Sequence, residues 1–200
     1  MGAVPQLAER LSPFAGADAL AIAGRLIATY GSPARALAAS RESLGETLAS
    51  HRELADLIAA ARELADYSSL NALEGQIVDT ASPPFLGYLQ RTLGHAEDER
   101  LLGVFVDKTG HFIAAECLAS GLSADVEIAF RPLIGRILDL GARGLILAHN
   151  HPSGSLQPSA FDRAATRRLA QVLQALECEL SDHLIVTAHG CYSMARAGEL

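Results

Sequence analysis

The sequence predicts an α/β protein in which helices cover both faces of a mixed sheet, preceded by a small helical region. Beyond about residue 80, short apolar runs of strand length alternate with stretches of helical periodicity, the pattern of a sheet sandwiched by helices. Before residue 76 there is no strand-like alternation, and Ala- and Leu-rich helical spacing dominates. Hydrophobic residues make up 50% of the 200 residues, so the chain can bury a sizeable core without disulfide or metal crosslinks.

The first third of the chain is expected to form short helices. Apolar residues at helical spacing predict helices over residues 18–30, 40–48 and 51–64. The first of these ends at Gly31. Periodicity weakens after residue 66, and a Ser-Pro-Pro sequence interrupts the chain at 82–84. We therefore expect a boundary between residues 66 and 82, with a helical region over 1–75 and an α/β domain over 76–200.

The second part of the chain is expected to form the sheet and the helices that cover it. Strands are predicted over residues 101–107, 111–117, 145–148, 183–187 and 191–194. Helices are predicted over residues 84–93, 126–140 and 159–176. The first two strands are joined by Lys108-Thr109-Gly110, which suits a hairpin turn with positive φ at the glycine. The purely aliphatic run over 145–148 is typical of a strand buried on both faces.

The charge balance counts against nucleic-acid binding. Sixteen basic residues against 23 acidic ones give a net charge of −7. Residues 1–80 contain six Arg and no Lys against ten acidic residues, a net charge of −4. A nucleic-acid binder needs a basic surface, because phosphate neutralisation dominates its affinity.

Neither export nor a membrane segment is expected from the sequence. No apolar run approaches the roughly 18 residues of a membrane span, and the N-terminus lacks the basic start and apolar stretch of a signal peptide. The three cysteines, Cys117, Cys178 and Cys191, form neither a CxxC pair nor an even set. Reduced thiols in a cytoplasmic protein are the simplest interpretation.

One segment carries the residues of a metal site. His149 and His151 are two residues apart at the end of a predicted strand, so both imidazoles point to the same side of the sheet. The chain then turns and begins a helix near Ser159, which brings Asp162 in the first helical turn back towards the strand end. Two His and one carboxylate leave one of the four coordination positions of a tetrahedral ion open for water, which is the pattern of catalytic zinc. Bound Zn²⁺ lowers the pKa of that water to about 7.

Each half of this segment also has a structural explanation. A His-x-His pair occurs at many strand ends by chance, and Ser159-x-x-Asp162 is a helix-capping signature. The two together, at this spacing and after a buried strand, favour a metal site, and the cap and ligand roles are compatible. His183 and His189 have no ligand-like spacing to the segment and are expected to be structural or to support the ligands.

His-x-His-Pro, six residues, Ser, two residues and Asp resembles the complete motif of the JAMM (MPN+) metallopeptidases. The longer pattern resembles the RadC family: its AHNHPSG core, the hairpin over 101–121, the strand over 182–186 and the closing Tyr-Ser-Met-Ala-Arg-Ala-Gly-Glu-Leu. This resemblance covers about residues 76–200 and implies a JAMM/MPN-like (deaminase-like) fold. It also implies one zinc ion per chain, with the ligands His149, His151 and Asp162.

The resemblance further implies catalytic residues. JAMM enzymes use a glutamate just before the first long strand to deprotonate the metal-bound water, and Glu99 fits that position. Glu97 and Glu116 are the alternatives, and residues 97–99 also suit a solvated strand entrance. Ser159 matches the serine that stabilises the tetrahedral oxyanion. The implied reaction is hydrolysis of an amide bond, in which Glu99 takes a proton from water and returns it to the leaving amine.

Three functions remain open. The first is a zinc-dependent metallopeptidase or isopeptidase, which would act on peptides or on isopeptide-linked proteins. The second is a nucleic-acid-associated protein, as the DNA-repair label of the RadC family implies. The third is an interaction module that keeps the JAMM fold without turnover.

Longer RadC-like proteins carry a helix-hairpin-helix region that grips DNA phosphates through a Gly-rich hairpin. The first third of this chain resembles that region in helix order, but residues 44–53 contain neither Gly-x-Gly nor Lys. We therefore expect a degenerate helix-hairpin-helix that packs as a helical cap and does not bind DNA.

Overall fold

The computed structural model describes residues 2–96, 98–121 and 129–200. The alternative acid Glu97 and the first three residues of the helix predicted over 126–140 lie outside these ranges. The chain divides into two compact units, Met1–Tyr67 and Ser68–Leu200.

The first unit is helical. Its helices are α1 (Ala3–Ala15), α2 (Ala19–Tyr30), α3 (Pro33–Ala38), α4 (Arg41–Thr47) and α5 (Arg52–Asn71), the last of which runs on into the second unit. The helices pack around buried apolar side chains that include Leu7, Leu11, Ile22, Leu26, Leu44 and Leu48. Helices α2, α4 and α5 correspond to predicted helices, whereas α1 and α3 are additional.

Helix α5 is longer than its predicted range of 51–64. The weak periodicity after residue 66 argued for a break there, but the helix continues to Asn71. Leu70, in the second unit, packs against the core of that unit, and this packing outweighs the weak local pattern.

One stretch of the described residues, Ala3–Tyr30, is long and apolar enough to cross a membrane by length and composition alone. In the structure this stretch is the pair α1 and α2, which pack against each other. The chain turns between them at Gly16, which has a φ of 53°. The apolar faces of both helices contribute to the core of the first unit.

The second unit is built on a mixed five-stranded sheet with the order β2-β1-β3-β4-β5. The strands are β1 (Glu99–Val106), β2 (Phe112–Gly121), β3 (Gly144–Asn150), β4 (Glu179–Thr187) and β5 (Gly190–Ser193). Strands β3 and β4 are parallel, and the other neighbouring pairs are antiparallel. The turn between β1 and β2 has Gly110 at a φ of 84°, as its sequence predicted.

Helices cover both faces of this sheet, which confirms the predicted α/β fold. Helices α7 (Phe130–Leu140) and α8 (Ala160–Gln174) share one apolar core with Phe105, Leu145 and Leu147. Helix α6 (Pro83–Thr92) shares the core of the opposite face with Val104, Ile146 and Val186. Because alternate residues of a strand point to opposite faces, β3 supplies side chains to both cores.

Helix α7 begins at Phe130, whereas the sequence predicted a start at 126. Ala129, the residue before the helix, has an extended backbone with φ −75° and ψ 92°. The strand bounds also differ from the predicted ones. The largest differences are in β2, which continues four residues further to Gly121 through its pairing with β1, and in β4, which begins four residues earlier at Glu179.

Candidate metal centre

The two histidines of the candidate site lie where β3 ends. Every residue of this strand is buried, and the alternation that points Leu145 and Leu147 towards α7 and α8 points His149 to the same face. His151 follows directly after the strand. Asp162 lies in the first turn of α8, where the returning chain brings it to both imidazoles.

Three side chains bring potential metal-ligand atoms together at this position. His149 Nε2 lies 2.9 Å from His151 Nε2 and 3.3 Å from Asp162 Oδ1. His151 Nε2 lies 3.4 Å from Asp162 Oδ2. Two ligands of a tetrahedral zinc ion, each at about 2.0–2.1 Å, are about 3.3 Å apart. The described residues therefore fit one small cation, and these are the three residues that the sequence singled out.

In its neutral form, His151 carries its proton on Nδ1, the nitrogen that faces away from His149 and Asp162. His151 Nδ1 is 2.9 Å from the backbone carbonyl oxygen of Ser155, which can only accept a hydrogen bond, so Nδ1 donates. The hydrogen bond with Asp162, the Ser155 carbonyl and the charge of Glu99 raise the pKa of His151, while burial opposes them. In its neutral form the ring offers the Nε2 lone pair to a metal.

Asp162 also closes the first turn of α8. Ser159 N donates to Asp162 Oδ2 at 2.6 Å, and Asp162 N donates to Ser159 Oγ at 3.0 Å, which completes a capping box. Burial alone would raise the pKa of Asp162, but the adjacent imidazoles of His149 and His151 and the hydrogen bond with Ser159 hold it below the usual carboxyl value. The cap therefore fixes a charged carboxylate against the two imidazoles.

The acids that were candidates for the water-activating base occupy different places. Glu99 is the first residue of β1, and two residues later Leu101 lies directly opposite His149 of the antiparallel strand β3. Period-two alternation therefore places Glu99 on the face that carries His149. Its charge adds to the raised pKa of His151, after the larger contribution of Asp162. Glu116 lies on β2, one strand further out, and forms an ion pair with Arg136 of α7, with Nε 2.8 Å from Oε1.

Two further side chains support the site: His183, which the sequence left as structural or supporting, contacts the ligand His149, and Thr166, which the sequence did not single out, contacts His183. His183 Nε2 lies 2.8 Å from His149 Nδ1, and His183 Nδ1 lies 2.6 Å from Thr166 Oγ1. Burial lowers the pKa of His183 to about 3, and the proximity of His149 adds to this effect. In sequence the only signal for Thr166 is its position four residues after Asp162 on a helix, which places both on one face. His189 is exposed in the turn before β5.

A mixed sheet covered by helices, with two histidines after a central strand and an aspartate on the next helix, defines a JAB-type domain with a candidate metal site. A family model described as RadC-like JAB domain matches residues 80–199. The chain belongs to the RadC family.

Curated relatives carry UPF0758 names. The chain is 38% identical over 111 residues to a UPF0758 protein of Paraburkholderia xenovorans, and the match covers 56% of the chain and 44% of that protein. It is 39% identical over 111 residues to one of Paraburkholderia phytofirmans, covering 56% and 43%. It is 38% identical over 113 residues to UPF0758 protein YkfG of Escherichia coli, covering 56% and 72%. The match thus spans less than half the length of the first two relatives.

Proposed function

We propose that the chain is a zinc-dependent hydrolase that cleaves peptide or isopeptide bonds in proteins. The observation that carries this proposal is the convergence of the His149, His151 and Asp162 side chains. Their facing nitrogen and oxygen atoms lie within 3.4 Å of one another, and each side chain is held in place separately. Two imidazoles and one carboxylate form the ligand set of catalytic zinc sites, which keep a fourth position open. We propose one zinc ion per chain, because the described residues contain one such group.

Zinc in this site would act as a Lewis acid and lower the pKa of water to about 7. Glu99, on the same face as His149, is the residue proposed to accept a proton from the attacking water. It then returns that proton to the leaving amine, so the carboxylate is regenerated in each turnover.

Ser159 is proposed to stabilise the oxyanion of the tetrahedral intermediate. Its Oγ accepts the hydrogen bond from Asp162 N with a lone pair, so this bond does not use the hydroxyl proton. Ser159 is exposed beside Asp162, where a substrate carbonyl can reach the hydroxyl.

The proposed substrates are peptides or isopeptide-linked proteins and not DNA, because the first 80 residues have a net charge of −4. All three cysteines are free thiols, which suits a reducing compartment, and we propose the cytoplasm.

Hydrolysis of a panel of fluorogenic peptides and ubiquitin-type isopeptide conjugates tests the proposal. We expect cleavage that chelation abolishes and added zinc restores, with His149→Ala inactive and His189→Ala unaffected. Zinc binding without cleavage of any substrate in the panel would favour the interaction module over the hydrolase. Retention on DNA that weakens steeply with salt would instead favour the nucleic-acid-associated protein.

A further inference from the structure

A buried chain of hydrogen bonds connects the backbone of α8 to the first candidate ligand. Thr166 Oγ1 donates to the backbone carbonyl oxygen of Asp162 at 2.6 Å. The same oxygen lies 2.6 Å from His183 Nδ1, and His183 Nε2 lies 2.8 Å from His149 Nδ1. Thr166 is fully buried, and His183 and His149 are 3% and 5% exposed. Buried polar groups of this kind need a defined donor and acceptor at every contact.

The first link of this chain fixes the direction of the second. A carbonyl oxygen only accepts, so the single hydroxyl proton of Thr166 lies on the contact with Asp162 O. The other acceptor near this hydroxyl, Met194 Sδ at 3.8 Å, is a weak one and too distant to compete. Thr166 Oγ1 must therefore accept from His183, which places a proton on His183 Nδ1.

The second link fixes the third. A charged imidazolium at His183 would be a poorly solvated buried charge, so the ring is neutral and Nε2 carries a lone pair. That lone pair faces His149 Nδ1 at 2.8 Å, and His149 Nδ1 must donate to it. His149 then has no proton on Nε2, the atom that faces His151 and Asp162.

We propose that Thr166 and His183 are positioning residues that fix His149 as the Nδ1-protonated tautomer and so prepare its Nε2 lone pair for a metal ion. This inference rests on the proposed function, because the tautomer of His149 has a role only if the site binds a metal. The hydrogen bond to the Ser155 carbonyl gives His151 the same tautomer. The loop therefore sets the tautomer of His151, and the buried hydrogen bonds independently set that of His149. Partners of this kind, on the far nitrogen of a ligand, orient the ring and raise metal affinity.

The test pairs each disruptive variant with one that keeps the hydrogen-bonding roles. Thr166→Val removes the hydroxyl at nearly constant shape, whereas Thr166→Ser keeps it. His183→Leu removes both ring nitrogens, whereas His183→Gln can accept from His149 and donate to Thr166. His189→Gln, at an exposed histidine in the turn before β5, is the matched control.

Two readouts are measured on the full chain. Long-range ¹H–¹⁵N NMR of the metal-free protein gives the tautomer of His149, and competition with a chromophoric chelator gives the zinc affinity. We expect the Nδ1-protonated form in the native protein, Thr166→Ser and His183→Gln. In Thr166→Val and His183→Leu we expect this preference to be lost and the zinc affinity to fall about 10- to 100-fold.

An Nε2-protonated His149 in the native metal-free protein would overturn the inference. Native-like zinc affinity in a folded Thr166→Val protein would also overturn it, and zinc binding by the native chain would still support the proposed function. If the native chain bound no zinc, the proposed function would fail, while the NMR tautomers of the native and Thr166→Val proteins would still decide the positioning role. Circular dichroism of each variant shows whether it is folded.

Discussion

Asn150 Oδ1 accepts the backbone amide proton of Arg100 at 2.8 Å, which ties the end of β3 to the residue that follows Glu99. The Nδ2 group of Asn150 donates in turn to the backbone carbonyls of Asp98 at 2.9 Å and Ala96 at 3.3 Å. Asn150 is only 1% exposed, so these three bonds lie out of reach of water. One side chain between the two histidines therefore fixes the backbone that carries the proposed base.

Replacing Asn150 tests this relationship. Asn150→Asp keeps the acceptor for Arg100 but loses both donors, and leaves backbone carbonyls without a partner at a cost of about 1–3 kcal/mol each. We expect a lower denaturation midpoint and a fall in turnover of at least about tenfold, with zinc content retained because the ligands are untouched. The control is Asn71→Asp, at the exposed end of α5. Unchanged turnover in a destabilised Asn150→Asp protein would contradict a role in placing Glu99.

Glu99 and Glu116 both lie in the β1–β2 hairpin, but substitutions of the two residues are expected to affect turnover differently. Glu99→Gln should keep zinc and lose about 10²- to 10⁴-fold in turnover, because a general base contributes about that much. Glu116→Gln breaks only the ion pair with Arg136 and should keep native turnover. Zinc content and steady-state rates are measured on both proteins. The assignment of Glu99 as the base fails if the two variants lose equal activity.

Asp182 is a buried carboxylate that organises the segment after β5. It accepts from His183 N at 2.7 Å, from Ser193 Oγ at 2.7 Å and from Ala195 N at 3.1 Å, and it is 1% exposed. Asp182→Ala leaves these donors without their acceptor and should lower the free energy of unfolding by about 3 kcal/mol or more. Urea denaturation checks this, with the exposed Asp139→Ala as control. Equal midpoints for the two variants would show that the Asp182 bonds contribute little.

Asp107 makes the stability of the β1–β2 turn depend on pH. Its Oδ1 accepts from Thr109 Oγ1 and Thr109 N, both at 2.7 Å, and from His111 N at 2.9 Å. The bonds from Thr109 and then His111 lower the pKa of Asp107 from 3.8 to about 2. A lowered folded-state pKa means that the carboxylate stabilises the fold above about pH 4 and that this contribution is lost as the pH falls towards 2.

The comparison of native protein with Asp107→Asn shows this dependence directly. The native chain should have the higher urea midpoint at pH 7, and the difference should stay constant down to about pH 5 and shrink below pH 4. A difference that grows on acidification would have the wrong sign for a lowered pKa.

The sequence predicted most of the sheet and the candidate ligand group because both depend on short-range pattern. His149, His151 and Asp162 fall within one strand–turn–helix segment, so their spacing alone indicated a shared site. His183 comes from β4, and its place beside His149 depends on the parallel pairing of β3 and β4. Strand register of this kind is set by packing across the sheet, which a single sequence does not display.

The same distinction explains the remaining differences from prediction. The choice among three glutamates could not be made from spacing, and the proposal of Glu99 draws on the pairing of Leu101 with His149, which only the strand register supplies. Asn150 lies between the two histidines in sequence, but its bonds to Asp98 and Arg100 depend on the antiparallel approach of β1. Tertiary contacts therefore determine how the candidate site is supported, and local sequence determines its three central residues.

Metal content is the most direct test of the proposed zinc site. The chain is purified without a chelator or His-tag, incubated with zinc, desalted and analysed by elemental mass spectrometry, beside His149→Ala, Asp162→Ala and the control His189→Ala. We expect about one zinc per chain in the native protein and the control, and loss of zinc from both ligand variants. A native chain that stays metal-free with excess zinc, or ligand variants that retain the metal, would contradict it.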